Sequence, residues 1–217
     1  MKRLFCFGPL AVSMLLVPCT SGYAASQAPP GESGRPRGAG PSSPTQAPAF
    51  RLLEDRLTLR EPFNKAKDKV RVVAFLSPSC PRCQKNAGEL QREVLAKNTT
   101  EDLAVFVIWL KVLEKDDESA VDEAMQKIAD PRVQHFWDPE RLLNAQLLDA
   151  IAFDVQLRLY DIFLLYDGSA QWEKRLPRPG FWMHEYKGAP GPWWDVSAFA
   201  TEIEKGLQGE PFRALMH

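Results

Sequence analysis

Histidine and cysteine are scarce in this sequence, which has three histidines and four cysteines among its 217 residues. The histidines, His135, His184 and His217, are far apart and show no spacing typical of a local metal site. A structural zinc site needs a second pair of ligands beside a Cys-x-x-Cys pair, and an iron–sulfur cluster needs about four thiolates. These shortages exclude a zinc ribbon, and they exclude an iron–sulfur cluster if the N-terminal cysteines leave with a leader.

Excess charge and long apolar runs are also lacking. The formal net charge is -1, which gives no electrostatic reason to expect a nucleic-acid partner. The N-terminal apolar run, Leu4–Val17, is too short to span a bilayer comfortably. It follows Lys2 and Arg3 and precedes small residues up to Ala25, a pattern typical of an export signal. We therefore expect residues 1–25 to be a signal peptide and the protein to be exported, to the periplasm or the cell exterior.

Two other fates of this leader fit the sequence. An uncleaved leader would act as a short membrane anchor. Alternatively, Cys19 would be lipidated, although Pro18 stands where lipoprotein signals have a small residue. We expect contact with a membrane only through one of these two anchors.

The mature chain is expected to hold a single pair of cysteines. Cleavage after Ala25 removes Cys6 and Cys19 and leaves Cys80 and Cys83. Exported proteins occupy compartments where thiols tend to be oxidised. A lone pair separated by two residues is then a disulfide or a dithiol, and not part of a larger disulfide framework.

Composition divides the rest of the chain into a linker, one folded domain and a tail. Residues 26–49 are dominated by Pro, Gly, Ser and Ala, and cannot bury enough apolar surface to offset the entropy of ordering them. We interpret these residues as a disordered linker, residues 50–209 as the domain and residues 210–217 as a C-terminal tail.

Apolar periodicity predicts alternating strands and helices in the domain. Strands are predicted at Val70–Leu76, Leu103–Leu110, Val133–Trp137 and Asp161–Gly168, with residues 170–176 as an antiparallel partner of the last. Helices are predicted after Cys80, over residues 118–129, from the Asp138-Pro139 pair and after Asp195. This order predicts an α/β fold with a mostly parallel sheet, helices on both faces and a late hairpin. Residues 177–194 are predicted to form a long aromatic loop.

The Cys80-Pro-Arg-Cys83 motif lies where the first of these strands ends and a helix begins. Haem attachment would need a histidine directly after the second cysteine, and Gln84 is there instead. A helix N-terminus would stabilise a Cys80 thiolate, Pro81 suits an early helical position and Arg82 adds positive charge. We favour redox or metal chemistry over a structural disulfide, because cross-linking so short a loop gains little stability.

The stretch "VVAFLSPSCPRCQKNAGEL" resembles the strand, active-site turn and first helix of the thioredoxin-like superfamily. The resemblance covers about residues 70–207, including an inserted strand and helix like those of exported thioredoxin-family proteins. It implies a mixed sheet, a Cys80 nucleophile and a Cys83 resolving thiol. It also implies a protein thiol or disulfide as substrate, a second redox partner, and no cofactor besides the cysteine pair itself.

Three positions depart from the family pattern. Ser79 stands where the family usually has tryptophan, and Ala74 where reductases have a buried aspartate. Asp161 falls near the place of the family's cis-proline. In the family that proline helps to bind substrate chains and keeps metals off the thiols, so the resemblance leaves room for metal binding and for a specialised partner. An acidic Asp161 near Cys80 would oppose the thiolate and raise its pKa.

Two further hypotheses therefore stay open. The chain could be a soft-metal module that holds copper through Cys80, Cys83 and either His135 or His184, since thiolates favour Cu(I). It could also be a non-catalytic interaction domain with the same fold.

The aromatic and acidic stretches each have a simple interpretation. Phe181, Trp182 and the other tryptophans are expected to pack in the core and loops, with a groove of Phe181, Trp182 and His184 over the cysteines as the alternative. The mainly acidic stretch 111–123 is expected to be a solvated face.

Overall fold

The computed structural model describes residues 49–153, 159–189 and 191–214. The predicted signal peptide, nearly all of the predicted linker and the last three residues of the tail lie outside the described residues. Within these ranges, no helix has both the length and the apolar character needed to cross a membrane.

The described residues form a mixed sheet of six strands in the order β1-β4-β3-β2-β5-β6. The strands are β1 Arg51–Leu52, β2 Val70–Leu76, β3 Leu103–Leu110, β4 Val133–Asp138, β5 Ile162–Tyr166 and β6 Phe181–His184. The first four in sheet order run parallel, whereas β5 is antiparallel to β2 and β6 is antiparallel to β5. The sheet thus has parallel central strands and an antiparallel hairpin at one edge.

In the described part of the chain, five α-helices cover this sheet. They are α1 Leu57–Lys65, α2 Pro81–Glu89, α3 Glu118–Met125, α4 Asn144–Ala150 and α5 Val196–Leu207. Helix α2 continues as a π-helical segment, Leu90–Leu95. Buried residues of α1 and α4 pack on one face of the sheet, and those of α2, α3 and α5 pack on the other.

Strands β2 and β3 are central because both of their faces are apolar. In β2, Val72 and Ala74 contact the core on the α2 side, and Val73 and Phe75 contact the core on the α1 side. All residues of β2 and β3 are buried. A continuous apolar run is therefore needed here, since alternate side chains enter opposite cores.

The structure confirms the predicted fold class, a mixed α/β sheet with helices on both faces and an inserted strand and helix. The predicted strand at Val70–Leu76 has the observed bounds. Asp195 begins the last helix as predicted, since its carboxylate accepts hydrogen bonds from the amides of Ser197 and Ala198 at 2.9 and 3.0 Å.

Three local predictions are wrong. Residues 170–176 form no strand, and the partner of β5 is β6, Phe181–His184. The interval 177–194 is therefore a strand with two short connections instead of one long loop. Asp138 does not begin a helix. It is the last residue of β4, and α4 starts only at Asn144.

Candidate active site

Cys80 and Cys83 lie at the carboxyl end of β2, where helix α2 begins. Cys80 is the N-cap residue with extended backbone angles, φ -78° and ψ 116°, and Pro81 opens the helix. The amide of Gln84 donates to the carbonyl of Cys80 at 3.0 Å, which closes the first helical turn. Both cysteines are free thiols, with Cys80 6% exposed and Cys83 fully buried. Cys80 is thus the sulfur nearer to solvent.

The environment of Cys80 favours the thiolate. A hydrogen bond from the Cys83 thiol lowers the pKa of Cys80 to about 6, against an opposing contribution from burial. The backbone amides of Cys83 and Arg82 and the charge of Arg82 also contribute to this lowered value. These amides are among those that a helix leaves free in its first turn. Cys80 is therefore largely ionised at neutral pH.

Cys83 has the opposite character. Burial raises the pKa of its thiol well above the ordinary value, and the hydrogen bond that it gives to Cys80 raises it further. The negative charge of Asp161 acts in the same direction. The pair thus consists of one thiolate near the surface and one buried thiol that donates a hydrogen bond to it.

Asp161 lies directly before β5 and beside helix α2. Its amide donates to the carbonyl of Phe75 at 2.7 Å, so β5 joins the end of β2 at this residue. Its side chain is fully buried, and its backbone has a positive φ of 61°. Arg82 Nε lies 3.4 Å from Asp161 Oδ2, and Asn86 Nδ2 donates to Oδ1 at 3.0 Å. No peptide bond in the described ranges is cis, so at this point the chain has a trans-linked acidic residue.

The carboxylate of Asp161 is poised to titrate near neutral pH. The pKa of Asp161 is raised to about 6, mainly by burial and also by the charges of Cys80 and Glu185, against the opposing hydrogen bond from Asn86. Asn86 Nδ2 also donates to Glu185 Oε2 at 2.8 Å, so one amide group holds two carboxylates. The charge states of Asp161 and Cys80 are therefore linked.

Asp116 is the polar residue that sequence reasoning missed. The stretch 111–123 was expected to be solvated, yet Asp116 is fully buried. Its carboxylate accepts hydrogen bonds from Ser77 Oγ and from the amide and hydroxyl of Ser79, which lie in the turn before Cys80. The only sequence signal was the unusual pair of serines beside the motif.

The two histidines predicted as alternative metal ligands lie on different strands, and each forms hydrogen bonds with residues near its own strand. His184, in β6, is fully buried; its Nδ1 accepts from the amide of Tyr186 at 3.1 Å, and its Nε2 lies 3.3 Å from the carbonyl of Gly191. His135, in β4, accepts from Trp109 Nε1 at 3.3 Å, and burial lowers the pKa of His135 to about 4. Among the described residues, no three His, Cys, Asp or Glu side chains are grouped so that they could hold a metal ion.

The residues predicted as an alternative groove are buried instead. Phe181, Trp182 and His184 are each less than 5% exposed, and neighbouring residues of this strand enter opposite cores. Their burial supports the packing interpretation. Trp193 is 54% exposed, and it is the large aromatic side chain that remains accessible beside His184.

Comparison with known proteins gives remote structural similarity alone. No protein-family model matches this chain, and no curated protein matches it. A solved thioredoxin-like protein in its oxidised form is similar with 19% identity and a TM-score of 0.44, over 66% of this chain and 80% of that one.

Two exported proteins are similar to a comparable degree. A secreted disulfide oxidoreductase of Mycobacterium tuberculosis, homologous to E. coli DsbE, has 15% identity and a TM-score of 0.39, over 64% of this chain and 84% of that one. An exposed lipoprotein thioredoxin of Streptococcus pneumoniae has 14% identity and a TM-score of 0.38, over 65% of this chain and 87% of that one. At this level of similarity, the fold class rests on the strand order described above, and chemistry has to be argued from the site itself.

Proposed function

We propose that this protein is a thiol–disulfide oxidoreductase that uses Cys80 as nucleophile and Cys83 as resolving thiol. The observation that carries the proposal is the opposite displacement of the two thiol pKa values at one helix N-terminus, with that of Cys80 lowered to about 6 and that of Cys83 raised. A structural disulfide would need neither a lowered pKa at one cysteine nor a raised pKa at the other. A thiolate nucleophile with a protonated neighbour is what disulfide exchange requires.

The proposed reaction has two exchange steps. The Cys80 thiolate attacks one sulfur of a substrate disulfide; the Cys80–substrate bond forms, the substrate S–S bond breaks and the first substrate thiolate leaves. Cys83 then loses its proton to water and attacks the Cys80 sulfur, which forms the Cys80–Cys83 disulfide and releases the second substrate thiolate. Two electrons pass from the cysteine pair to the substrate, and the reverse sequence oxidises a substrate dithiol.

The raised pKa of Cys83 fits its place in this sequence. As a thiol it cannot attack early, and it stabilises the Cys80 thiolate by its hydrogen bond. Once Cys80 enters a mixed disulfide, its negative charge is gone. Since that charge is one of the groups that raise the pKa of Cys83, this pKa then falls and ionisation of the resolving thiol becomes easier.

The low pKa of Cys80 also bears on the direction of electron flow. A stabilised thiolate favours the reduced form of a cysteine pair, and this makes the disulfide a stronger oxidant. Nucleophilic cysteines in thioredoxin and in the strong oxidant DsbA have pKa values of about 7 and about 3.5. The lowered pKa of Cys80 therefore favours a potential less negative than that of a cysteine pair with an ordinary nucleophilic thiol.

We further propose that the protein acts after export, on protein thiols or disulfides, with a separate redox partner to restore the pair. The support is the leader pattern of residues 1–25 together with the Pro- and Gly-rich stretch that follows it. N-terminal sequencing of the protein recovered from the periplasm or medium would test this. Recovery of the protein from the cytoplasm with residues 1–25 still attached would overturn the proposed export.

Disulfide exchange is tested with a fluorescent peptide disulfide and its reduced dithiol, using the full chain, Cys80→Ser and Cys83→Ser. We expect Cys80→Ser to lose exchange in both directions. Cys83→Ser should accumulate a mixed disulfide with the peptide, which mass spectrometry detects. Wild-type exchange no faster than that of Cys80→Ser would refute the proposed function.

A further inference from the structure

We propose that Asp116 is a positioning residue for the Cys80 thiolate, holding the turn before Cys80 in the geometry that stabilises the charged sulfur. The proposal deepens the proposed function and rests on it. It concerns a residue outside the Cys-Pro-Arg-Cys motif, 36 positions after Cys80 in the chain. Its basis is a set of five N–H and O–H donors to one buried carboxylate, with the Ser77 hydroxyl shared between the two oxygens.

One side of this carboxylate holds the turn that leads into Cys80. Ser77 Oγ donates to Asp116 Oδ1 and Oδ2 at 3.0 and 2.9 Å. The amide of Ser79 donates to Oδ1 at 2.9 Å, and its hydroxyl donates to the same oxygen at 2.6 Å. The turn is completed by the Cys80 amide, which donates to the carbonyl of Ser77 at 3.3 Å. Both serines that flank Pro78 are thus fixed by the same acceptor.

The other side of the carboxylate holds the loop after β3. The amides of Val112 and Leu113 donate to Asp116 Oδ2 at 2.9 and 2.7 Å. This loop and the Ser77–Ser79 turn follow neighbouring parallel strands, β3 and β2. Asp116 therefore connects two loops at the same edge of the sheet, one of which carries the nucleophile.

The carboxylate remains ionised in this position. Burial alone would raise the pKa of Asp116, but the hydrogen bonds from Ser79, Leu113 and Val112 lower it below the ordinary value. None of the ion pairs among the described residues includes Asp116. Because this buried charge is stabilised only by N–H and O–H donors, it remains favourable only while those donors keep their positions.

The link to reactivity runs through the backbone at Cys80. The thiolate is stabilised by the amides of Arg82 and Cys83, and these point at the sulfur only if Cys80 keeps its extended N-cap conformation. The Ser77 amide also bonds to Cys83 and lowers the pKa of that thiol. If the turn loosens, the sulfur of Cys80 moves relative to these donors and its pKa rises.

The direction of the effect separates positioning from direct electrostatics. A buried negative charge acting on Cys80 through space would oppose the thiolate, so removing that charge would lower the pKa of Cys80. Loss of positioning would raise it. Among the described residues, the titratable or charged groups that act on Cys80 include Arg82, Cys83, Tyr160 and Asp161, and substitution of Asp116 leaves all of these in the chain.

The chain offers a matched control at the next strand. Asp138, the last residue of β4, is also a fully buried carboxylate, and it accepts from the amides of Leu142 and Leu143 at 2.9 and 3.3 Å. These contacts hold a loop that does not carry the cysteines. Asp138→Asn therefore changes a buried carboxylate, one whose pKa burial raises, without touching the turn at Ser77–Ser79.

The experiment measures alkylation of Cys80 by iodoacetamide as a function of pH in the reduced full-length protein. Tryptic cleavage after Arg71, Arg82 and Lys85 puts Cys80 and Cys83 on separate peptides, so mass spectrometry reads each thiol by itself. We expect Asp116→Asn and Ser79→Ala to shift the Cys80 midpoint upward and to slow alkylation at pH 5 by threefold or more. Asp138→Asn should leave both the Cys80 midpoint and the alkylation rate at pH 5 unchanged.

Two outcomes would overturn the proposal. One is a Cys80 midpoint that stays the same or falls in both Asp116→Asn and Ser79→Ala. The other is an equal upward shift in Asp138→Asn, which would mean a general loss of stability. Ser79→Ala keeps the test decisive if Asp116→Asn fails to fold. Because alkylation needs no disulfide substrate, its result is independent of whether the proposed exchange activity is found.

Discussion

The guanidinium of Arg82 lies 3.4 Å from the buried carboxylate of Asp161, and this ion pair spans the two elements that meet at the cysteines. The Arg82 side chain is 45% exposed, whereas that of Asp161 is fully buried. Arg82 therefore connects a buried negative charge to the surface beside Cys80. Its charge lowers the pKa of both Cys80 and Asp161, so it favours the ionised form of two groups that repel each other.

Arg82→Gln is expected to make Cys80 less reactive at low pH. The Arg82 amide remains, but the cation is lost, so the pKa of Cys80 rises toward its ordinary value of 9.0. We expect alkylation of Cys80 at pH 5, located by fragmentation of the peptide that in this variant holds both cysteines, to slow severalfold, since each pKa unit is a factor of about ten in thiolate. Arg82→Lys keeps the charge and should retain most of the wild-type rate. Equal rates in Arg82→Gln and wild type would contradict this.

Asp161→Asn is expected to stabilise the protein at neutral and alkaline pH. The pKa of Asp161 is about 6 in the folded protein and 3.8 as a free side chain. A group whose folded pKa is raised contributes stability below its unfolded pKa, and that contribution is lost as pH rises through the folded value. At pH 8 the ionised Asp161 therefore costs on the order of 1–3 kcal/mol, which asparagine avoids. Asparagine also tolerates the positive φ of this residue.

Urea unfolding of the reduced protein at several pH values checks this prediction. The advantage of Asp161→Asn over wild type should be largest at pH 8 and should shrink between pH 6 and pH 4. Asp122→Asn, at an exposed position of α3, serves as control and should change stability little at either pH. A destabilised Asp161→Asn protein at pH 8 would show that the hydrogen bond from Asn86 outweighs the burial of charge.

The two central strands could be predicted from the sequence because burial on both faces leaves a continuous apolar run. Leu103–Leu110 is such a run throughout, and Val70–Leu76 is one apart from the buried Arg71, whereas a surface helix is apolar along one stripe only. Strand β6 could not be predicted in the same way. Phe181–His184 has only four residues between Pro- and Gly-rich segments, and its pairing with β5 depends on long-range hydrogen bonds that no local pattern records.

The candidate site was predictable in its cysteines and less so in its supporting polar groups. Cys80 and Cys83 are marked by spacing and by the strand before them. Asp116 lies in an acidic stretch that is mostly exposed, and its burial follows from amide and hydroxyl donors in two loops that become neighbours only in the fold. The position of Asp161 beside Cys80 followed from the family resemblance, whereas its bond to Asn86 is visible only in three dimensions.

His184→Phe is expected to lower stability without changing the chemistry of the cysteines. The His184 ring accepts a hydrogen bond from the amide of Tyr186, and its other nitrogen lies 3.3 Å from the carbonyl of Gly191. The ring therefore stabilises the segment that follows β6. Phenylalanine would leave these two backbone groups, which are only partly buried, without that partner, at a combined cost of about 1–3 kcal/mol for the two hydrogen bonds. Urea unfolding should report this loss. The alkylation midpoint of Cys80 should not move, and a shift would reveal a role for His184 at the active site.

Trp193→Ala is the companion measurement for that variant. Trp193 packs beside the His184 ring, with ring centroids 5.6 Å apart, but is 54% exposed. Because most of its surface is already in water, we expect a loss of less than about 1 kcal/mol. A loss as large as that of His184→Phe would mean that packing by the tryptophan, and not the ring nitrogens of His184, holds the connection.

Gly180→Ala is expected to displace the C-terminal segment from the domain. A Cβ atom on Gly180 would overlap the Phe212 ring, and one on Gly206 would lie 2.7 Å from the same ring. The ring therefore occupies a notch that exists because both residues lack side chains. We expect Gly180→Ala to cost about 1–3 kcal/mol, as is usual when atoms are forced into a packed site.

Phe212→Ala supplies the second arm of a double-mutant cycle for this contact. It should destabilise the protein by itself, because it empties the notch. In the Phe212→Ala background, however, Gly180→Ala should cost little, since its methyl group then enters free space. The coupling between the two substitutions in urea unfolding should thus be favourable by about 1 kcal/mol or more. Additive costs would mean that the ring does not occupy this notch in solution, and that the alanine acts through the local backbone alone.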